Sequence, residues 1–265
     1  MIPNILVVFC YSIALILSLH WFFRSKSWGK TASVYLISLG VIIQICDIFS
    51  VSVELEGLSS ILNILALFFA IGILAARVIF KSSGIVIFTL PFVVILLLLG
   101  LIPLKGPDSL KESYSNPWFL IHIFSYLLAY VALFLATGSA IMYLMQEKFI
   151  KDKNFGPISH NLPSLEKLDK MNYKLLAFGF TFLTIGLVCG AVFAKISWGN
   201  YLVKDSKIIW AIITWLVYAV VIHVRLTSSL RGKKVAILSI VGMCFILLTF
   251  IWSDFITGGP HSFLK

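Results

Sequence analysis

Residues 58–80 read LSSILNILALFFAIGILAARVIF, and residues 84–104 read GIVIFTLPFVVILLLLGLIPL. Arg77 is the one charged side chain within these two runs, which are separated by Lys81, Ser82 and Ser83. A helix of about 20 apolar residues crosses the hydrocarbon core of a bilayer, so each run is long enough to do so. The two runs therefore predict a pair of transmembrane helices joined by a short connection.

The whole chain shares this apolar character. It has 265 residues, of which 60% are hydrophobic and 12% are charged, whereas about a quarter of the residues in a soluble domain are charged. This composition excludes a soluble domain, and the high hydrophobicity excludes a disordered chain. Four cysteines in a chain of this length also exclude a small disulfide scaffold.

Apolar segments long enough to cross a bilayer recur along the chain. There are eight, over residues 4–23, 31–50, 58–80, 84–104, 118–145, 174–195, 208–227 and 235–254. The predicted fold is therefore all-α, a polytopic integral membrane bundle with about eight transmembrane helices. Because no internal repeat divides the chain, a single domain is predicted over residues 1–265.

The basic residues predict the orientation of this bundle. Most of the 21 Lys and Arg residues lie in the odd-numbered connections, and cytoplasmic loops are enriched in these residues. Both termini are therefore expected on the extracytoplasmic side. The net charge of +10 then reflects topology, and no nucleic-acid partner is predicted. The longest connection, about 146–173, is cytoplasmic, and its polar stretch from Ser164 to Asn172 predicts a surface helix leading into the sixth span.

Four of the five histidines fall at two levels of the predicted bundle, while His160 lies in the cytoplasmic loop. His122 and His261 lie near the extracytoplasmic surface. His20 and His223 lie roughly 25 Å deeper, near the cytoplasmic ends of their spans. Two imidazoles at one level are what six-coordinate haem iron needs. The alternative is that each histidine is an interfacial residue whose ring faces the lipid headgroups.

The loop and helix start after the sixth span are rich in aromatic residues, reading SWGNYLVKDSKIIWAIITWLVY over residues 197–218. Trp198, Tyr201, Trp210 and Trp215 form an apolar platform on the same side as the outer histidines. A porphyrin needs apolar faces on which to lie. The alternative is an ordinary belt of membrane-interface anchors.

This aromatic segment, with Asp205 at its centre, resembles the tryptophan-rich WWD motif of the CcsA/ResC/CcmC family of haem-handling cytochrome c assembly proteins. The segment Trp118-Phe-Leu-Ile-His122 resembles the first outer histidine motif of that family, and Gly259-Pro-His261-Ser262 resembles the second. The stretch that ends in His223-Val-Arg225 resembles its membrane histidine. The resemblance is strongest over residues 117–265.

The resemblance implies a haem-binding protein of cytochrome c biogenesis in a bacterial inner or plasma membrane, or in a thylakoid-type membrane. Such a protein presents or delivers haem on the extracytoplasmic side for attachment to the Cys-x-x-Cys-His segment of apocytochrome c. The implied cofactor is haem b in transit. The implied partners are a CcsB/ResB-like membrane subunit, apocytochrome c and, indirectly, a thiol-reductant protein.

The resemblance also implies roles for individual residues. His122 and His261 would be the outer axial ligands of the iron, and His223 would be an inner ligand. The second inner ligand would come from the partner subunit or, because its depth matches, from His20. The porphyrin would contact Trp198, Tyr201, Asp205, Trp210 and Trp215. No residue is assigned a catalytic role, and any enzymatic activity would belong to a cytochrome c synthase (haem lyase) complex.

Two alternative functions stay open at the level of the sequence. The family motif usually reads Trp-x-Trp-Asp-Pro-x-Glu, whereas this chain has Leu202, Lys204, Ser206 and Ile208 at the Trp, Trp, Pro and Glu positions. This departure favours a HemX-like accessory or regulatory membrane protein linked to haem synthesis, with weak or no haem binding. The other alternative is a transporter with a polar site in mid-membrane, for which Gln44, Asn63 and Pro91 are the candidates.

Overall fold

A computed structural model describes residues 2–50, 58–102, 115–201, 206–227 and 232–256. Within these ranges the chain is helical, with no β-strand. The helices are α1 (Ile2–Arg24), α2 (Ser27–Ser50), α3 (Leu58–Phe80), α4 (Gly84–Gly100), α5 (Pro117–Lys151), α6 (Pro157–Asn161), α7 (Leu165–Trp198), α8 (Ser206–Thr227) and α9 (Lys233–Ile256). The all-α prediction is confirmed.

Six helices of the described ranges are long and apolar enough to cross a membrane, namely α1, α2, α3, α5, α7 and α8. The chain is therefore an integral membrane protein, as its sequence predicts. α4 covers Gly84–Gly100, has 17 residues and contains Pro91, whereas the sequence predicts a span over 84–104. α9 covers the last predicted segment. The total of about eight spans and the side of the termini stay predictions.

The predicted surface helix after the long connection is part of a longer element. α7 begins at Leu165 and continues without a break to Trp198, so the stretch from Ser164 to Asn172 leads directly into the sixth span. The short helix α6 precedes it, a turn of structure that the sequence pattern does not predict. It begins at Pro157, and proline favours the first helical position because its ring fixes φ and the missing N–H has no helical partner there.

The described helices form two compact units, divided within α5 and α7. The first unit comprises Met1–Lys105 and Ile141–Met171. Tyr11 of α1 is fully buried and donates its hydroxyl hydrogen to Oε1 of Gln44 on α2 at 2.8 Å. The Gln44 amide in turn donates to the backbone carbonyl of Asn63 on α3 at 3.4 Å. These polar contacts join three helices in apolar surroundings, where hydrogen bonds contribute to helix association.

The second unit comprises Gly106–Ala140 and Asn172–Lys265, and its frame is the pairing of α5 with α7. The Asn172 amide donates to the carbonyl of Ala136 at 2.8 Å. Gly179, seven residues further along α7, lies against Leu133 and Ala129 of α5. Because the numbers rise on α7 as they fall on α5, the two helices are antiparallel. Further along α7, the contacts with α5 follow the same antiparallel register and reach the first turns of α5.

Candidate functional site

The start of α5 is determined by its first residues. The backbone N–H of Trp118 donates to Oδ1 of Asn116 at 3.0 Å, which is the usual bond of an asparagine N-cap. Pro117 occupies the first helical position, where proline is favoured. These two residues set the beginning of the helix, and they place His122 in its second turn.

His122 is half-buried between α5 and α7. Its Nδ1 lies 2.8 Å from the carbonyl oxygen of Gly186. The imidazole ring packs on Tyr126, one turn further along α5, with ring centroids 4.8 Å apart. On the α7 side, a Cβ atom at Gly190 would overlap the imidazole ring, and one at Gly186 would lie 2.6 Å from the Tyr126 ring. The missing side chains of the two glycines therefore make the space in which both rings lie.

Sequence reasoning identified His122 but missed Tyr126, Gly186 and Gly190. The available signal was the pair of glycines four residues apart within an apolar span. Small residues at this spacing lie on one face of a transmembrane helix and allow a neighbouring helix to approach closely. The pattern indicates a helix contact but does not identify the side chains that fill it.

Aromatic rings lie near His122, where the start of α5 meets the last turns of α7. Phe119 of α5 contacts Phe193 of α7 with ring centroids 4.9 Å apart, and Phe193 contacts Trp198 at 5.8 Å. We call Phe119, Phe193 and Trp198 the aromatic cluster. Phe119 lies one helical turn before His122. Of the predicted platform residues, the structure thus joins Trp198, through Phe193 and Phe119, to the helix that carries His122.

The end of α7 is built by a glycine in the left-handed conformation. Gly199 has φ 79°, and its N–H donates to the carbonyl of Lys195 at 3.0 Å, as at many helix C-termini. The ammonium of Lys195 donates back to the Gly199 carbonyl at 2.7 Å and lies 5.5 Å from the centre of the Tyr201 ring. Tyr201 is exposed. The Lys195 ammonium and the Tyr201 ring therefore lie at the same end of α7 as Phe193 and Trp198 of the aromatic cluster.

The two tryptophans of α8 are placed differently. Trp215 stacks on Phe180 of α7 at 5.7 Å, and its indole N–H donates to Oγ1 of Thr184 at 2.9 Å. Phe180 precedes Trp198 by 18 residues, a distance of about 27 Å along a helix. The structure therefore does not bring Trp215 together with Trp198. Trp210 lies in the second turn of α8 and is half-buried.

The remaining predicted site residues are distributed as follows. His223 is exposed near the C-terminal end of α8. His20 belongs to the first unit, where its ring lies 5.5 Å from that of Trp28 and its Nδ1 is buried without a hydrogen-bond partner in the described structure. His261 and Asp205 lie outside the described residues. Within the described ranges, no group of three or more His, Cys, Asp or Glu side chains is arranged to hold a metal ion.

Comparison with known proteins gives a family match over most of the chain. Residues 55–261 match the family model described as cytochrome C assembly protein. The chain is also similar to the cytochrome c biogenesis protein CcsA of Guillardia theta, with 34% identity over 169 residues, 58% of this chain and 56% of that protein. The corresponding values for CcsA of Chlamydomonas reinhardtii are 34% over 160 residues, 60% and 44%.

A third similar protein is CcsA of Heterosigma akashiwo, which is 28% identical over 221 residues, 69% of each chain. This chain spans about half the length of the first two relatives. The similarity to the first two therefore concerns a part of those proteins.

Proposed function

This chain belongs to the cytochrome C assembly protein family, and on that premise we propose that it takes part in cytochrome c maturation by binding haem and presenting it on the extracytoplasmic side for attachment to apocytochrome c. The observation that supports this function best is the setting of His122. The ring lies at the end of α5 where Phe119 joins the aromatic cluster. An imidazole beside apolar rings combines an iron ligand with a surface on which a porphyrin lies.

In this proposal haem is the cargo, and among the described residues His122, Trp198 and Tyr201 fit it chemically. His122 supplies one axial ligand, and His261 supplies the other. Trp198 and Tyr201 contact the porphyrin, together with Trp210 and Asp205. The Lys195 ammonium, at the same end of α7, suits a haem propionate because ammonium and carboxylate form charge-assisted hydrogen bonds. Trp215 supports the site through its contacts with α7.

The inner site of the proposal rests on His223. Its exposure near the end of α8 makes the ring accessible to a ligand that comes from another subunit. We therefore propose that a CcsB/ResB-like membrane subunit supplies the second inner histidine, with His20 as the candidate within this chain. Haem b would pass from this inner site to the outer one.

The proposed orientation places both termini outside, with α4 and α9 completing about eight membrane spans in one domain. On the extracytoplasmic side, the vinyl groups of haem b react with the thiols of a Cys-x-x-Cys-His segment in apocytochrome c. Each S–H adds across a vinyl double bond, so the sulfur forms the thioether and the hydrogen goes to the other vinyl carbon. The thiols have to be reduced for this addition, which gives a thiol-reductant protein its indirect role. We assign the addition to the synthase complex and not to a residue of this chain.

The experiment that tests this function is visible spectroscopy of the detergent-purified protein, oxidised and dithionite-reduced, with haem quantified as its pyridine haemochrome. The expected result is a b-type spectrum that disappears in the His122→Ala/His261→Ala double variant. His160→Ala is the matched control, since this histidine is exposed in the connection before α7. Unchanged haem content in the double variant would refute the outer site. A wild-type protein without haem, from cells well supplied with it, would favour the HemX-like alternative.

A further inference from the structure

The imidazole of His122 has a backbone partner that determines where its proton lies. Nδ1 is 2.8 Å from the carbonyl oxygen of Gly186, and a carbonyl oxygen accepts hydrogen bonds but donates none. Nδ1 must therefore carry the hydrogen and donate it. In a neutral imidazole the other nitrogen, here Nε2, then carries the lone pair that a metal ion takes.

The backbone of α7 is suited to this contact because of its glycines. The carbonyl of residue i in an α-helix accepts the N–H of residue i+4, and its oxygen has a second lone pair for another donor. Helical side chains lean toward the preceding turn, so the side chain of residue 190 would lie beside the carbonyl of residue 186. Position 190 is a glycine, and a Cβ atom there would overlap the His122 ring. The absence of this side chain gives the imidazole its access to the carbonyl.

A matching pair of rings on α5 faces the glycine pair. His122 and Tyr126 are four residues apart, as are Gly190 and Gly186, and residues at this spacing lie on one face of a helix. The Tyr126 ring occupies the space beside Gly186, where a Cβ atom would lie 2.6 Å from its Cδ2. The contact continues the antiparallel register set by Asn172 and Ala136. The two glycines are thus in register with the two rings.

We propose that Gly186 and Gly190 are positioning residues for His122. The Gly186 carbonyl holds the proton on Nδ1, which makes Nε2 the iron-binding atom, and Gly190 provides the space in which the ring reaches that carbonyl. A hydrogen bond from the second nitrogen of a metal-binding histidine fixes the ring orientation and raises its basicity as a ligand. This inference rests on the proposed function insofar as it assigns iron to His122.

The first test needs neither haem nor a variant of the glycines. The whole protein is labelled with 15N-histidine, and the ring nitrogens are observed by NMR in detergent, with His122 assigned from the signals lost in His122→Ala. The expected result is a protonated Nδ1 and an unprotonated Nε2. A proton on Nε2 of His122 would overturn the proposal. Because no haem is present, this result is independent of whether the protein binds it.

The second test compares alanine variants at three glycines of α7. Gly186→Ala and Gly190→Ala introduce overlaps at the two rings, whereas Gly179→Ala introduces a similar overlap, 2.6 Å from Leu133 Cδ2, at the same helix interface. Gly179→Ala is therefore the matched control for loosened helix packing. Loss of the hydrogen-bond partner of a metal-binding histidine typically lowers metal affinity by about 10–100-fold. We expect that loss of haem affinity in Gly190→Ala, whose added methyl group displaces the His122 ring from the Gly186 carbonyl. Gly186→Ala keeps the carbonyl and displaces the Tyr126 ring, so its loss should be smaller, and the control should change by about twofold at most.

The outcomes of this test separate the positioning role from a general packing defect. Equal losses of haem affinity in all three variants would overturn the proposal, because the effect would then come from the helix interface as a whole. So would wild-type affinity in Gly190→Ala. Failure of the wild-type protein to take up haem would contradict the proposed function, while the 15N measurement still decides whether Gly186 holds the proton.

Discussion

Removal of the hydrogen bonds between Asn172 and its partners is expected to loosen the pair of helices, α5 and α7, that carries His122 and its backbone partner. Asn172 is 4% exposed, and its amide donates to the Ala136 carbonyl at 2.8 Å and to the Ser239 hydroxyl at 3.1 Å. These bonds link α7 to α5 and to α9. They lie at one end of the interface between α5 and α7, and His122 lies at the other end of that interface. They therefore set the register that places His122 opposite Gly186.

The magnitude follows from the number of bonds. Each hydrogen bond between helices contributes about 1 kcal/mol. The Ser239 hydroxyl also donates to Oδ1 of Asn172 at 3.2 Å, so the pair shares two bonds. Asn172→Ala removes three bonds and should lower the free energy of unfolding by about 3 kcal/mol. Ser239→Ala removes the two shared bonds and should lower it by about 2 kcal/mol. The double variant also loses three bonds in all, so its loss should be about 3 kcal/mol and not about 5 kcal/mol.

The assay is reversible denaturant unfolding in detergent micelles, followed by circular dichroism, for the wild type, both single variants and the double variant. Thr181→Ala is the control, because Thr181 is an exposed residue of the same helix and its hydroxyl donates to the carbonyl of Ala177, one turn earlier in that helix. A surface substitution of this kind changes stability by about 0.5 kcal/mol or less. Additive losses in the double variant, or an Asn172→Ala loss no larger than that of the control, would refute the reasoning.

Three further predictions concern other parts of the chain. Tyr11→Phe removes the hydroxyl that bonds to Gln44 of α2 and should lower the free energy of unfolding by about 1 kcal/mol. Tyr35→Phe, at a residue 71% exposed, should leave the unfolding curve unchanged, and equal effects of the two variants would show that the Tyr11 bond does not stabilise the helix pair. Trp215→Phe keeps a ring on α7 but loses the indole bond at 2.9 Å, so it should cost about 1 kcal/mol in the same assay, and an unchanged midpoint would count against it. In sealed cells, a membrane-impermeant maleimide should label Ser115→Cys at once but label Asp152→Cys only after permeabilisation, and the reverse pattern would contradict the proposed orientation.

The helices were largely predictable because local sequence determines them. Long apolar runs predicted α3 to the residue and α1 to within two residues at each end, whereas α2 begins at Ser27, four residues before the predicted start. An apolar run of this length is what a helix needs to cross the bilayer. The structure differs where helix ends depend on local backbone chemistry. α4 ends at Gly100, although apolar residues continue after it, and α5 extends to Lys151, beyond its apolar part. Apolarity indicates where a chain crosses the membrane, and turn chemistry determines where a helix stops.

The candidate site was predictable only in part, for a different physical reason. The motif around His122 identified the residue, but its partner is a backbone carbonyl on a helix 64 positions away. Side-chain patterns carry no direct signal for a carbonyl acceptor. The predicted aromatic platform shows the same limit. Trp215 bonds to Thr184 of α7 while Trp198 joins the aromatic cluster, and no sequence pattern distinguishes these two tryptophans. Such differences depend on the register between helices.

Chemical rescue tests whether His122 holds the iron of haem. The His122→Gly variant removes the ring but leaves its space beside Gly186 and Gly190. We expect this variant to lose the low-spin haem spectrum of the wild type, and we expect added imidazole to restore it. A His122→Gly protein that keeps the wild-type haem spectrum without imidazole would show that His122 is not a ligand of the iron.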